Sequence, residues 1–181
     1  ILEEDSPSDV GQRRSPEQAL EDYCRQRHWQ GRSMGMMTAA SMNSCRVASR
    51  REQGLAVFVA LTAGLSNARR AGDRADYRPE REEAPPAGTI NILAATNANL
   101  TDAALLEALM LMAEAKAAVL QARGITSPVS GLVATGTGTD CAALACGHGP
   151  HLRWSGKHVL FGEMLAQAVM EALDASLAWY G

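Results

Sequence analysis

The sequence predicts an α+β fold: a mixed, largely antiparallel sheet with helices packed against it, in a single domain. Strand-like and helix-like segments do not alternate regularly, which disfavours a doubly wound parallel sheet. Two β-branched and apolar segments, "CRVASRR" and "LAVFVALTAG", are separated by the short turn "EQG", a hairpin signal. Two longer segments, residues 101–123 and 157–179, instead repeat apolar residues at helical spacing.

The elements follow in chain order. Residues 1–14 are polar, with Pro, Gly and paired charges, and read as a flexible tail; the domain is expected to occupy 15–181. Ser15-Pro16-Glu17-Gln18 starts a helix: Ser15 caps, Pro16 suits the first helical position and Gln18 completes a capping box. That helix should reach about His28. The hairpin begins near Ser44. From Ser66 to Gly88 no period holds, and arginines are balanced by acidic residues. Such a stretch is either a solvated insertion or a lid, its "LTAGLSNA" end ordered and its acidic end mobile. "TINILAAT" (89–96) is a buried strand. Thr101 caps a long helix that Gly124 ends after Arg123. "SGLVATG" and "CAALACG" read as two short strands joined through a Thr/Gly turn, before the last helix, Lys157 to Trp179.

Composition narrows the classes of function. A chain of 181 residues, 46% apolar, can bury a sizeable core. Aromatics are only 4%, so alanine supplies much of the apolar content, which favours closely packed helices. A formal charge of −3 gives no footprint for nucleic acid. No run reaches the length of a membrane span and no secretory signal is visible, so a cytoplasmic protein is expected. Cys24, Cys45, Cys141 and Cys146 lack zinc-site spacing and are expected to be reduced, buried thiols; no metal site is expected.

Chemistry concentrates in "GLVATGTGTD" (131–140). Gly136 and Gly138 allow close backbone approach or positive φ. Thr135, Thr137 and Thr139 supply hydroxyls, and Asp140 can act as a base, orient a donor or close the turn by its own hydrogen bond. The run lacks the Lys-Ser/Thr of a P-loop. On spacing alone it is a ligand loop or an elaborate hairpin. On the long helix, Leu105, Leu106, Leu109, Met112, Ala113, Val119 and Leu120 form an apolar stripe with Lys116 at its centre. A lysine there snorkels, pairs with a carboxylate or titrates abnormally; Asp140 is the expected partner. Glu114 points the other way, along a polar stripe with Glu107 and Gln121. His158 shares an inward stripe with Gly162, Leu165 and Val169, and is either a packed or capping residue or a neutral base.

Six segments in register carry a resemblance: "MMTAASM", "TAGLSNARRAG", "GTINI", "EAK", "ATGTGTD" and "SGKH…GE". Together, from about Met34 to Glu171, they resemble the adenosylcobinamide amidohydrolases. The resemblance implies corrinoid salvage: hydrolysis of the amide joining the corrinoid's propionate to its aminopropanol arm, giving adenosylcobyric acid for coenzyme B12 synthesis. It implies the cobalt corrinoid as substrate, no further cofactor, and no nucleic-acid or membrane partner; a homo-oligomer is compatible with it. A ring fringed with amides suits Asn67, Asn91, Glu114 and the 135–139 run as binding groups. Amide hydrolysis needs a base, an oxyanion stabiliser and an acid for the leaving amine. Asp140 or His158 stands as base, Lys116 or Asn67 as polariser of the carbonyl. The rivals are a non-catalytic corrinoid or nucleotide binder and an amidase for a smaller amide.

Overall fold

The computed structural model describes residues 15–31, 33–75 and 88–180. The tail reading and the acidic end of the 66–88 stretch lie outside them. The chain divides between Met37 and Thr38 into two compact units. In the first, helix α1 (Pro16–Gln26) has the expected capping box: Gln18 N–H donates to Ser15 Oγ and Ser15 N–H to Gln18 Oε1, at 3.3 and 3.0 Å. Within this unit Tyr23 and Trp29 meet edge to face.

The second unit has a four-stranded sheet in the order β1 (Arg46–Glu52), β2 (Leu55–Ala63), β4 (Ile90–Thr96), β7 (Cys141–Ala145). The first three are antiparallel; β7 runs parallel to β4 at the edge. Gln53 and Gly54, both at positive φ, make the two-residue turn of the β1–β2 hairpin, a geometry matched to strand twist. Short pairs β3 (Ala68–Arg69) with β6 (Gly136–Thr137), and β5 (Asn99–Leu100) with β8 (His151–Leu152), flank the sheet.

Helices α2 (Asp102–Ala122) and α3 (Leu160–Leu177) bury one sheet face. Val57, Val59, Leu61, Ile90, Ile92 and Ala94 meet Ala108, Met112, Ala115, Phe161, Leu165 and Val169 in one core. Thr101 caps α2 through Ala104 N–H, and Gly124, at φ 64°, leaves the helix after Arg123. On the other sheet face Val47, Phe58 and Leu93 are exposed.

Three expectations need correction. "SGLVATG" is not a strand hairpinned to "CAALACG": Val133 bridges back to Thr126, Gly136–Thr137 pairs with β3, and β7 joins the main sheet. Pro128 and Gly131 turn the preceding segment back on itself, with Gly131 N–H donating to Ser127 O. The buried face of α2 is centred on Ala104, Ala108, Leu111, Met112 and Ala115, while Leu106 and Ala113 are exposed. Alanines let α2 approach its neighbours closely, so the face follows side-chain size rather than hydrophobicity alone, and Lys116 sits at its margin. The cysteines are free, but Cys141 and Cys146 are exposed rather than buried.

Candidate active site

The site forms where the ends of β2 and β4 meet the turn before β7. Asp140 stands at its centre. Its Oδ1 accepts from Ile90 N–H (3.0 Å) and Thr137 Oγ; its Oδ2 accepts from Thr137 N–H (2.9 Å) and from the Lys116 ammonium. Four donors occupy the four lone-pair directions of an ionised carboxylate. In this arrangement Asp140 ties the turn to the start of β4 and to Lys116.

Lys116 and Asp140 side chains are 13% and 14% exposed, which makes this a largely desolvated pair. The bare Gly136 makes room for it: a Cβ there would strike Asp140 Oδ2 and stand 2.8 Å from Lys116 Nζ. Asp140 uses one of three ammonium N–H groups, and the other two have no acceptor among the described residues.

The threonines are largely spent within the protein. Thr135 Oγ accepts from Ala71 N–H (2.9 Å), and Thr135 N–H donates to Arg69 O. Thr139 Oγ donates to Gly88 O, while buried Thr89 Oγ donates to Thr139 O, both at 2.7 Å. Thr137 serves Asp140. This lacing ties the start of β4 to the turn, and it absorbs the hydroxyls read as ligand groups. Gly138 is exposed, and its N–H donates to Asn67 O (3.2 Å).

The "TAGLSNA", "GTINI" and "ATGTGTD" segments therefore meet one another. Asn67 and Asn91 are both buried here, at 2% and 7% exposure. Among the described residues Asn67 Oδ1 has no hydrogen-bond partner. Beside it a cleft of about 690 Å³ is walled by Gly64, Leu65, Ser66, Gly88, Ile125 and Trp179, among others.

Two predicted residues lie elsewhere. His158 is exposed and precedes α3, whose N-cap is Val159, so it has no place on an inward stripe. Gly162 explains the late start: a Cβ there would collide with the carbonyls of Ser155 and Gly156, which lie against the helix. That loop is fastened to the polar stripe of α2, Ser155 N–H donating to Glu107 Oε2 (2.6 Å) and exposed Lys157 pairing with exposed Glu114. Among the described residues no hydrogen bond or ion pair joins His158 or Glu114 to the Asp140 group. Residue reading missed Thr89, Gly88 and Glu107. The motif "GTINI" carried the signal for the first two; Glu107 looked like solvent-facing charge.

The opposite side of the turn is braced by Asp73. It accepts from Ser127 Oγ and from Arg70 N–H (2.8 Å), and the Ser127 and Ser130 hydroxyls hold its carboxyl below the usual aspartate range.

Comparison with known proteins decides the family. Residues 2–180 match the model of the CbiZ family, adenosylcobinamide amidohydrolase. The chain belongs to the adenosylcobinamide amidohydrolase family. An uncharacterised protein of Methanocaldococcus jannaschii is 36% identical over 78% of this chain and 61% of its own length. Proteins named adenosylcobinamide amidohydrolase match from Halobacterium salinarum (40% identity, 67% of this chain, 50% of the relative) and Methanosarcina mazei (28%, 92% and 77%). The chain thus spans 61% and 50% of the first two relatives. Among its described residues no helix is long and apolar enough to cross a membrane.

Proposed function

We propose that this adenosylcobinamide amidohydrolase family member hydrolyses the aminopropanol amide of adenosylcobinamide, giving adenosylcobyric acid in corrinoid salvage. The observation that carries the reading is the family match over residues 2–180, which includes every segment of the Lys116–Asp140 site. In the proposed mechanism, Asp140 holds the Lys116 ammonium in place, and Lys116 directs its remaining N–H groups to the scissile carbonyl. Water adds to the carbonyl carbon, its two protons pass to the leaving nitrogen and the C–N bond breaks, releasing the carboxylate and aminopropanol as its ammonium. During the addition, negative charge develops on the carbonyl oxygen. A desolvated cation fixed beforehand stabilises it more than the ground-state carbonyl, and so lowers the barrier. The cobalt corrinoid enters as substrate, and the cleavage is proposed to need no added cofactor.

A second reading has its own support. The Asp140 carboxylate is saturated by donors within the protein, which suits a corrinoid binder that cuts nothing. Incubation with adenosylcobinamide and mass analysis for adenosylcobyric acid separates the two. Product formation supports hydrolysis; binding without product supports the binder.

A further inference from the structure

The least satisfied group of the site is Asn67. Asn67 is 2% exposed and its Oδ1 accepts no hydrogen bond from the described residues. A buried acceptor without a donor is destabilising, and such groups are rare in folded proteins. Its surroundings are bare on purpose. A Cβ on Gly88 would collide with this oxygen and stand 2.7 Å from Ser66 Oγ, and one on Gly138 would stand 3.3 Å from Asn67 Nδ2. Gly88 and Ser66 are also walls of the 690 Å³ cleft, so the orphan oxygen lies directly behind the cleft lining.

Resting on the corrinoid reading, we propose that Asn67 Oδ1 is the acceptor for a carboxamide N–H of the ligand seated in this cleft. The chemistry excludes the alternatives. An anion would meet an acceptor at this point, Asn67 Oδ1. The cation of the lining, Arg123, is already held by Asp174 through two hydrogen bonds, at 2.6 and 2.8 Å. An ammonium ligand would want a carboxylate, and none lines the cleft among the described residues. A neutral N–H donor matches a neutral carbonyl acceptor between apolar walls. The oxygen is shut off from solvent in this arrangement, so the lining must open for the ligand to reach it.

The test uses cobinamide and cobyric acid as ligands, which share the ring's peripheral carboxamides but differ in the aminopropanol amide. Binding to Asn67→Leu and Asn67→Ala is measured beside thermal melts. Cobinamide affinity should fall at least tenfold in both variants, while the melting temperature of Asn67→Leu holds or rises because an unpartnered acceptor is removed. Equal weakening of cobyric acid assigns the bond to a peripheral carboxamide; unchanged cobyric acid affinity assigns it to the aminopropanol amide. Cobinamide affinity within twofold of wild type in a folded variant overturns the proposal, and persistent hydrolysis of adenosylcobinamide then shows that the proposed function stands without it. Wild-type protein that binds neither ligand ends both. Should the variants not fold, the Asn67 side-chain amide resonance of the wild type must shift on cobinamide binding; an unmoved resonance is equally fatal.

Discussion

Asp140 and Lys116 are coupled, yet their removal should have unequal consequences. Lys116→Met leaves Asp140 with three donors, Ile90 N–H and both Thr137 groups. The loss is one charge-assisted hydrogen bond from a well-supplied carboxylate, about 1.5–3 kcal/mol. Asp140→Ala strands a desolvated ammonium and two backbone N–H groups, and breaking such a pair costs about 3–5 kcal/mol. Urea denaturation should rank the variants in that order, and Lys116→Met should abolish hydrolysis while remaining folded. Equal losses would show that the carboxylate's other bonds contribute little. His158 has a different expectation. Exposed, and on a loop fastened to the Glu107–Glu114 side of α2, it should tolerate His158→Asn with hydrolysis and the acid limb of the pH profile intact. A collapse of turnover would restore it as the base.

At the scale of elements, loops are held by carboxylates and close glycines. Asp73 joins the Arg70 turn to Ser127, and its carboxyl is depressed by those hydrogen bonds. A depressed acid stabilises the fold above its unfolded value, and that contribution disappears as pH falls through the folded value. The window therefore lies below about pH 4, the ordinary aspartate range. Asp73→Asn should flatten the stability profile in that window; parallel profiles for the two proteins would refute the brace. Gly162 tests a helix end. An added methyl meets the backbone carbonyls of Ser155 and Gly156 rather than a flexible side chain. Gly162→Ala should destabilise by about 1–3 kcal/mol as an overpacked contact, despite alanine's better helix propensity. A stabilised variant would mean that the loop moves aside freely.

Across the whole molecule, the sheet has two unlike faces. Leu61 is 1% exposed beneath the helices, whereas Leu93 on the opposite face is 44% exposed. Leu61→Ala should cost about 2–5 kcal/mol, as deletions in packed cores do. Leu93→Ala should cost under about 1 kcal/mol, in the range of ordinary surface changes. Equal costs, read from denaturant midpoints, would mean that Leu93 is covered in solution.

The main strands and helices were legible in the chain because their causes are local. Ser15 with Gln18, Thr101 and Gly124 mark helix ends by groups that reach only a few residues. The Gln53-Gly54 turn and the flanking β-branched residues suffice for the hairpin. The turn run, Asn67 and Lys116 could be named from residue type and motif alone. The Lys116–Asp140 pair was expected and forms, but the other donors to Asp140 could not be named, because Ile90 reaches it from a distant part of the chain and spacing cannot say which donors fill a carboxylate. The same limit misplaced His158: the apolar period runs through residue 158, but the carbonyls of Ser155 and Gly156, packed against Gly162, accompany a helix that begins only at Leu160. The bonds that the threonine hydroxyls make within the protein were likewise beyond spacing, since β6 pairs with β3 and Thr139 is laced to Gly88 and Thr89.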